Sequence, residues 1–266
     1  LSEALRGHAR DALSRAAHRG WRALQRAASI TSEQPGPYRF RSLGPRSKLA
    51  FPVGSVFGEQ WITVGAGCII GEHVTLSAGL APGHDLGSEP VVTIGDRCTI
   101  GRGSHIVGHS SIVIADDVWT GPYIYITDQN HSYADPDQPI GKQWPINDTV
   151  EIGAGSWLGA GAIILPGAKL GRNVVVAAGS VVRGTIPDHT VVAGVPATPV
   201  RRHTPTGWGP PPHPHPPPRK HHPRRTGSPT GRTRGHQTHQ QILTVFAEPA
   251  GAGARPTARG WRGDAA

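Results

Sequence analysis

The feature that most restricts what this chain can fold into is a six-residue period between Ile152 and Pro187. Aliphatic residues stand at Ile152, Leu158, Ile164, Leu170, Val176 and Val182, six apart without a slip. Four places after each start the residue is small in most repeats: Ser156, Ala162, Ala168, then Val174 and Ser180. Neither the helical nor the strand period sustains a register of six with a small residue locked to it. A coil of three short flat sides does, because each side advances by one hexapeptide. Inward aliphatic side chains then stack on their counterparts one coil away, and only small residues fit inside the corners. The stretch predicts a parallel β-helix.

The register extends upstream through Val64, Ile70 and Leu76, and again through Ile94, Ile100, Ile106 and Ile112. Leu76 and Ile94 lie eighteen residues apart, three steps, so the interval holding Pro82–Ser88 is expected to form one turn in phase. A two-residue slip follows at Ile112–Ile114, after which Ile114, Thr120 and Ile126 resume the step. Ile152 comes twenty-six residues after Ile126, one step plus an excursion of about twenty. A segment is pushed out of the coil there.

Charge divides the 266-residue chain into three. Residues 1–50 carry ten Lys/Arg against three Asp/Glu, 51–200 six against thirteen, and 201–266 eleven against two. The basic balance therefore belongs to the ends. Such ends read as solvated arms: no nucleic-acid partner is expected, and peripheral contact with an anionic membrane is the less favoured use. Cys68 and Cys98 fall at the small inward corner position and read as buried free thiols. No apolar run approaches the ~18 residues of a membrane span and no signal pattern opens the chain, so a cytoplasmic location is expected. Met is absent throughout, and Leu1 is read as a non-standard start or a missing beginning.

These shifts divide the chain into 1–50, an N-terminal helix and linker; 51–202, the coil; and 203–266, a Pro/His/Arg-rich tail. Residues 2–29 carry a weak apolar stripe (Leu5, Ala9, Leu13, Leu24) ringed by arginines, which predicts a helix docked on the coil's flank or a neighbouring subunit. Thr31–Ser47 reads as loop, with Phe51, Phe57 and Trp61 opening the coil and plugging its end. The run from Gly209 to Arg225 cannot build a core and reads as disordered.

The excursion from Thr127 to Asp148 reads TDQNHSYADPDQPIGKQWPIND, an aperiodic loop with turn signals. Loops held by a rigid scaffold are where function concentrates. Within it His131 is the side chain able to accept a proton near neutral pH without special tuning. Asp128 is placed either to orient that imidazole or, more ordinarily, to cap a turn. From Ile152 to Arg202 five cations (Lys169, Arg172, Arg183, Arg201, Arg202) face one acid, Asp188, a balance suited to an anionic ligand.

The hexapeptide run, SWLGAGAIILPGAKLG (Ser156–Gly171), AAGSVV (Ala177–Val182) and the closing VVAGVPATPVR (Val191–Arg201) resemble hexapeptide-repeat acyltransferases. The likeness covers roughly residues 51–202 and is greatest to the sugar, maltose and galactoside O-acetyltransferases and the xenobiotic acetyltransferases. It implies an all-β fold, a left-handed coil, a homotrimer, and acyl-coenzyme A, typically acetyl-coenzyme A, as donor, with no metal. It further implies His131 as general base, preceded by Asn130 as in the xenobiotic branch. Trp157, Gly159 and Ala160 would border the pantetheine, Ala178 and Gly179 would offer backbone, and Arg183 and Arg201 would face the phosphates. Arg183 stands where relatives usually have Lys, and Thr198 where some have Arg. Tyr123 replaces an Asn that contacts the sugar in the sugar acetyltransferases, so the resemblance, which implies a hydroxyl of a sugar or glycan precursor as acceptor, does not imply a simple galactoside or maltoside. Two alternatives remain. One is a non-catalytic scaffold. The other is a zinc-dependent anhydrase-like protein using His73, His105 and His109, although the second histidine its spacing needs is Ile114 here.

Overall fold

The computed structural model describes residues 3–80 and 85–210. Helix α1 (Glu3–Ala28) and β1 (Ile30–Thr31) precede a triangular coil. Its first turn is β2 (Ser42–Leu43), β3 (Lys48–Leu49) and β4 (Val56–Phe57). The second is β5 (Ile62–Val64), β6 (Ile69–Ile70) and β7 (Thr75–Ala78). The third is β8 (Val92–Ile94), β9 (Thr99–Ile100) and β10 (His105–Gly108). The fourth is β11 (Ile112–Ile114), β12 (Trp119–Thr120) and β13 (Tyr125–Thr127). A flap follows, with β14 (Gln129–Asn130) and β15 (Ile146–Asn147) at its neck. The fifth turn is β16 (Val150–Ile152), β17 (Trp157–Leu158) and β18 (Ile163–Ile164). The sixth is β19 (Lys169–Leu170), β20 (Val175–Val176) and β21 (Val181–Val182). The chain ends its coil with β22 (Thr185–Ile186) and β23 (Thr190–Gly194), then turns back through β24 (Ala197–Thr204) and β25 (Gly207–Gly209).

Corresponding strands stack in parallel into three flat sheets. The first runs β2-β5-β8-β11-β16-β19-β22, the second β3-β6-β9-β12-β17-β20-β23, and the third β4-β7-β10-β13-β18-β21. This is the parallel β-helix expected from the period, of the left-handed kind that the resemblance implies. Each side sends one stack inward: Val64, Ile94, Ile114, Ile152, Leu170 and Ile186 from the first sheet are all buried. Each aliphatic side chain so buried contributes roughly 1.5–3 kcal/mol. Small corner residues are buried too, and the polar ones satisfy backbone. Ser47 Oγ donates to Gly65 O (2.6 Å) and accepts from Cys68 N (2.9 Å). Cys68 and Cys98 are free, buried thiols, donating to Gly95 O (3.0 Å) and Ala115 O (3.1 Å). The acidic charge of the coil also has a structural use. Asp96, Asp116 and Asp188 stand at one edge and accept the backbone N–H of Ala66 (2.8 Å), Asp96 (2.9 Å) and Arg172 (2.9 Å) in the turn before.

Several expectations are corrected. The coil starts at Ser42, within the segment read as loop, because Ser42 and Leu43 pair with Thr63 and Val64. Trp61 is buried, with its indole N–H on Gly87 O (2.7 Å), but in the second turn rather than as an end plug. Leu76 and Ile94 are not one turn apart: Val64 pairs directly with Ile94, thirty residues on. Twelve residues are therefore extruded between β7 and β8, an excursion whose length, two whole steps, left the period intact and hid it. Only part of that segment lies within the described residues. The two-residue slip is met, since Thr99 pairs with Trp119. Among the described residues, helix α1 meets the coil through its last turns, with Trp21 against Phe51 (ring centroids 6.3 Å) and Gln25 Nε2 donating to Phe51 O (3.4 Å). Its stripe is uncovered in the single chain, Leu13 being 72% exposed. At the other end the order runs past Arg202, because β24 folds antiparallel on β23 and β25 on β24. The tail from 211 onward lies outside the described residues.

Candidate active site

Two regions of the coil carry the residues singled out. The first is the edge between the second and third sheets. Along it the corner backbones are hydrogen-bonded turn to turn: Gly161 N donates to Pro122 O (3.0 Å), and Gly179 N to Ala160 O (2.9 Å). Tyr123, Gly159, Ala160, Ala178 and Gly179 therefore lie on one edge. Gly159 is required there, since a Cβ would meet Ala178 N at 2.5 Å. Beside the edge, on the outer face of the second sheet, Trp157 is 53% exposed. It pairs directly with Trp119, also exposed, so the two side chains leave neighbouring strands on the same face. The sequence reading passed over Trp119, although it occupies the same place in its repeat as Trp157, one before the inward residue.

Tyr123 is an exposed residue in the left-handed region (φ 60°), where a bulky side chain is disfavoured. Its ring turns back over Gly103, leaving no room there for a Cβ. Arg102 fixes it by a hydrogen bond to the phenol oxygen (2.8 Å), its guanidinium 5.6 Å from the ring centroid.

The second region is the flap, which leaves from the opposite end of β13. Its neck is an antiparallel ribbon in which Gln129 pairs with Asn147 and Asn130 with Ile146. Gln143 orders its interior, donating to Asp135 O (2.8 Å) and accepting from Asp135 N (3.1 Å). His131 follows the ribbon directly and is exposed, as is Asn130. Four apolar side chains of the flap also face outward: Tyr133, Ile140, Ile146 and above all Trp144, 87% exposed.

Asp128 proves to be an anchor rather than a partner of His131. It is fully buried, and its carboxylate accepts from the backbone N–H groups of His109 (2.8 Å), Ser110 (2.7 Å) and Ser111 (2.6 Å). Burial is the largest influence on this carboxyl and by itself would raise its pKa. His109 and the three N–H donors outweigh it, and the group lies below its ordinary value. The ordinary reading of Asp128, a turn cap, is the one met.

The cationic balance of the late turns is also reduced. Lys169 pairs with Glu151 (3.0 Å) and Arg172 with Asp188 (3.4 Å), both exposed. Arg201 and Arg202 project from β24 opposite Val191 and Thr190, exposed, while Arg183 lies just after β21 at a different edge. The structure thus groups the small-residue edge with Trp157, but does not bring Arg183 to it. Among the described residues no group of three or more His, Cys, Asp or Glu is placed to hold a metal.

Known proteins resemble this chain. The family described as bacterial transferase hexapeptide (six repeats) matches residues 149–184, and the hexapeptide repeat of succinyl-transferase matches 91–119. The Escherichia coli K12 protein named "Putative lipopolysaccharide biosynthesis O-acetyl transferase WbbJ" is 34% identical over 140 residues, half of this chain and 70% of that one. This chain belongs to the hexapeptide-repeat acetyltransferase family. The galactoside O-acetyltransferase of Lactococcus lactis is 36% identical over 97 residues, covering 36% of this chain and 46% of its relative. Among solved structures, a point mutant of AntD, an N-acyltransferase from Bacillus cereus in complex with dTDP and coenzyme A, overlays with a TM-score of 0.55. At 18% identity, over 67% of this chain and 92% of that one, it speaks for the fold. Family membership makes the chain an enzyme of acyl transfer and removes the scaffold and anhydrase alternatives.

Proposed function

We propose that this acetyltransferase moves an acetyl or short acyl group from acyl-coenzyme A to a hydroxyl of a sugar or glycan precursor, with His131 as general base. The carrying observation is the flap: an excursion of about twenty residues from a rigid coil, ordered at its neck and presenting an exposed imidazole immediately beyond it. The names of the relatives, which include O-acetyltransferases of lipopolysaccharide biosynthesis and galactosides, support the acceptor class.

The neutral imidazole of His131 takes the acceptor's proton as its oxygen attacks the thioester carbonyl. The tetrahedral oxyanion collapses, the carbon–sulfur bond breaks, and the imidazolium returns the proton to the departing thiolate. The donor lies along the edge of small residues, where Ala160, Ala178 and Gly179 leave an extended chain room to approach the backbone and Trp157 covers one side. Arg201 meets its phosphates. Flap and edge leave the coil at different corners of the triangle, so the complete site is formed between copies of the chain, in a homotrimer.

The test is thiol release from acetyl-coenzyme A with a panel of hydroxyl and amine acceptors. His131→Ala should lower kcat by about 10²–10⁴ with acetyl-coenzyme A binding retained. Equal rates would remove the assignment.

A further inference from the structure

The neck of the flap is held more elaborately than a loop needs, and one side chain there has no role in the chemistry above. Asp128 is the last residue before the ribbon. Its carbonyl accepts the N–H of Asp148 (2.8 Å), which joins the points where the chain leaves and rejoins the coil. One residue further, Gln129 Nε2 donates to Asn147 Oδ1 (3.1 Å). His131 is three residues from Asp128, with only this short ribbon between them. Wherever Asp128 is fixed, the backbone of His131 is fixed.

Asp128 is in turn fixed from the corner between β10 and β11. An ionised carboxylate has about four lone-pair sites. Three are filled by the N–H groups of residues 109–111. Against it lies the imidazole of His109, its side chain one-tenth exposed, with Nδ1 3.5 Å from Asp128 Oδ1. That Nδ1 is the one buried side-chain nitrogen or oxygen without a hydrogen-bond partner among the described residues. Buried polar atoms are as a rule paired, and the acceptor nearest to hand is the remaining site on Asp128. A tilt of the ring that shortens this 3.5 Å separation would let an Nδ1–H donate to that site.

We infer that His109 is a positioning residue for the acyl transfer: its Nδ1–H completes the shell of Asp128 and locks the neck that carries His131. This rests on His131 being the base. His109 itself touches no reacting atom. Its removal leaves a dry carboxylate one donor short, the neck loosens, and the imidazole spends less time in the attacking geometry. Donor binding, which belongs to another edge of the coil, is untouched.

The experiment compares the full-length protein with His109→Phe, which fills the space without a donor, and His109→Asn, whose amide nitrogen stands near the place of Nδ1. Kinetics with acetyl-coenzyme A, thermal midpoints and amide hydrogen exchange at Gln129 and Asn147 are measured, with His131→Ala alongside. His109→Phe should lose about ten- to a hundredfold in kcat, keep its KM for acetyl-coenzyme A, and exchange faster at the neck. His109→Asn should recover most of both. Wild-type kcat and neck exchange in His109→Phe would overturn the inference, and so would equal impairment of the two variants, which means packing and not the donor. If His131→Ala keeps full activity, the base assignment has failed by itself, and neck exchange alone then decides whether His109 holds the flap.

Discussion

At the scale of single residues, two side chains sit where their type is costly, and each is compensated locally. Tyr123 occupies a left-handed corner whose counterparts in the turns on either side, Gly103 (φ 65°) and Gly161 (φ 69°), are glycines. The strain is offset by the ring's seat on Gly103 and by Arg102. The resemblance singled Tyr123 out only by its place in the family pattern; its exposed position on the edge with Ala160 and its dependence on Arg102 both rest on contacts between turns that a linear register does not show. Asp128 is the second case. Its pKa is depressed in the folded protein, so it adds stability above its ordinary value of 3.8, and that stability is lost as pH falls below this toward the folded pKa. Asp128→Asn offers an amide where three N–H donors need an acceptor, and should cost about 1–3 kcal/mol at neutral pH. In urea titrations the gap between wild type and variant should be widest near pH 7 and close below about pH 4. A gap independent of pH would mean that shape, not charge, matters at this position.

At the scale of elements, legibility followed the periodicity. The β-helix was readable because each hexapeptide repeats one physical demand, an aliphatic inward residue and a small corner. The flap was readable because about twenty residues break phase with a step of six. The excursion after β7 was not, since twelve residues are two steps and leave the phase unchanged. The start at Ser42 was missed because Leu43 pairs with Val64 twenty-one residues on, three out of the six-residue phase, and the closing hairpin because antiparallel strands carry no hexad. Helix α1 lies where the sequence places it along the chain, but it does not dock along the coil of its own chain: its small alanine stripe offers the coil little area, and residues 7–24 are exposed in the single chain. Deleting residues 1–20, which spares the Trp21–Phe51 contact, should shift the thermal midpoint of the coil by no more than about 2 °C, because surface changes away from packing contacts stay within ~0.5 kcal/mol. A fall of about ten degrees would show that the helix is covered by another copy of the chain in solution.

At the scale of the whole molecule, the triangle separates what the proposed chemistry must unite. His131 emerges where the third sheet gives way to the first, while Trp157, Ala160 and Ala178 flank the junction of the second and third. Sequence alone could name both groups but not this separation, because a linear register does not say which corner a residue reaches. Trp144 and Ile146, outward on the flap, are the apolar surface that a neighbouring copy would cover. If the site is shared, defects in its two halves must complement. His131→Ala removes the proposed base, and Ala178→Glu sets a bulky, charged side chain on the exposed edge proposed to receive the donor's extended chain. Dissociated, mixed in equal amounts and reassembled, the two variants should regain about a quarter of wild-type activity, because random assortment in a cyclic trimer leaves that share of interfaces with both halves intact. A site built within one chain predicts no recovery, since every copy then carries one defect. Activity that stays at the level of the separate variants, with hetero-assembly verified by native mass spectrometry, would put flap and edge in the same subunit.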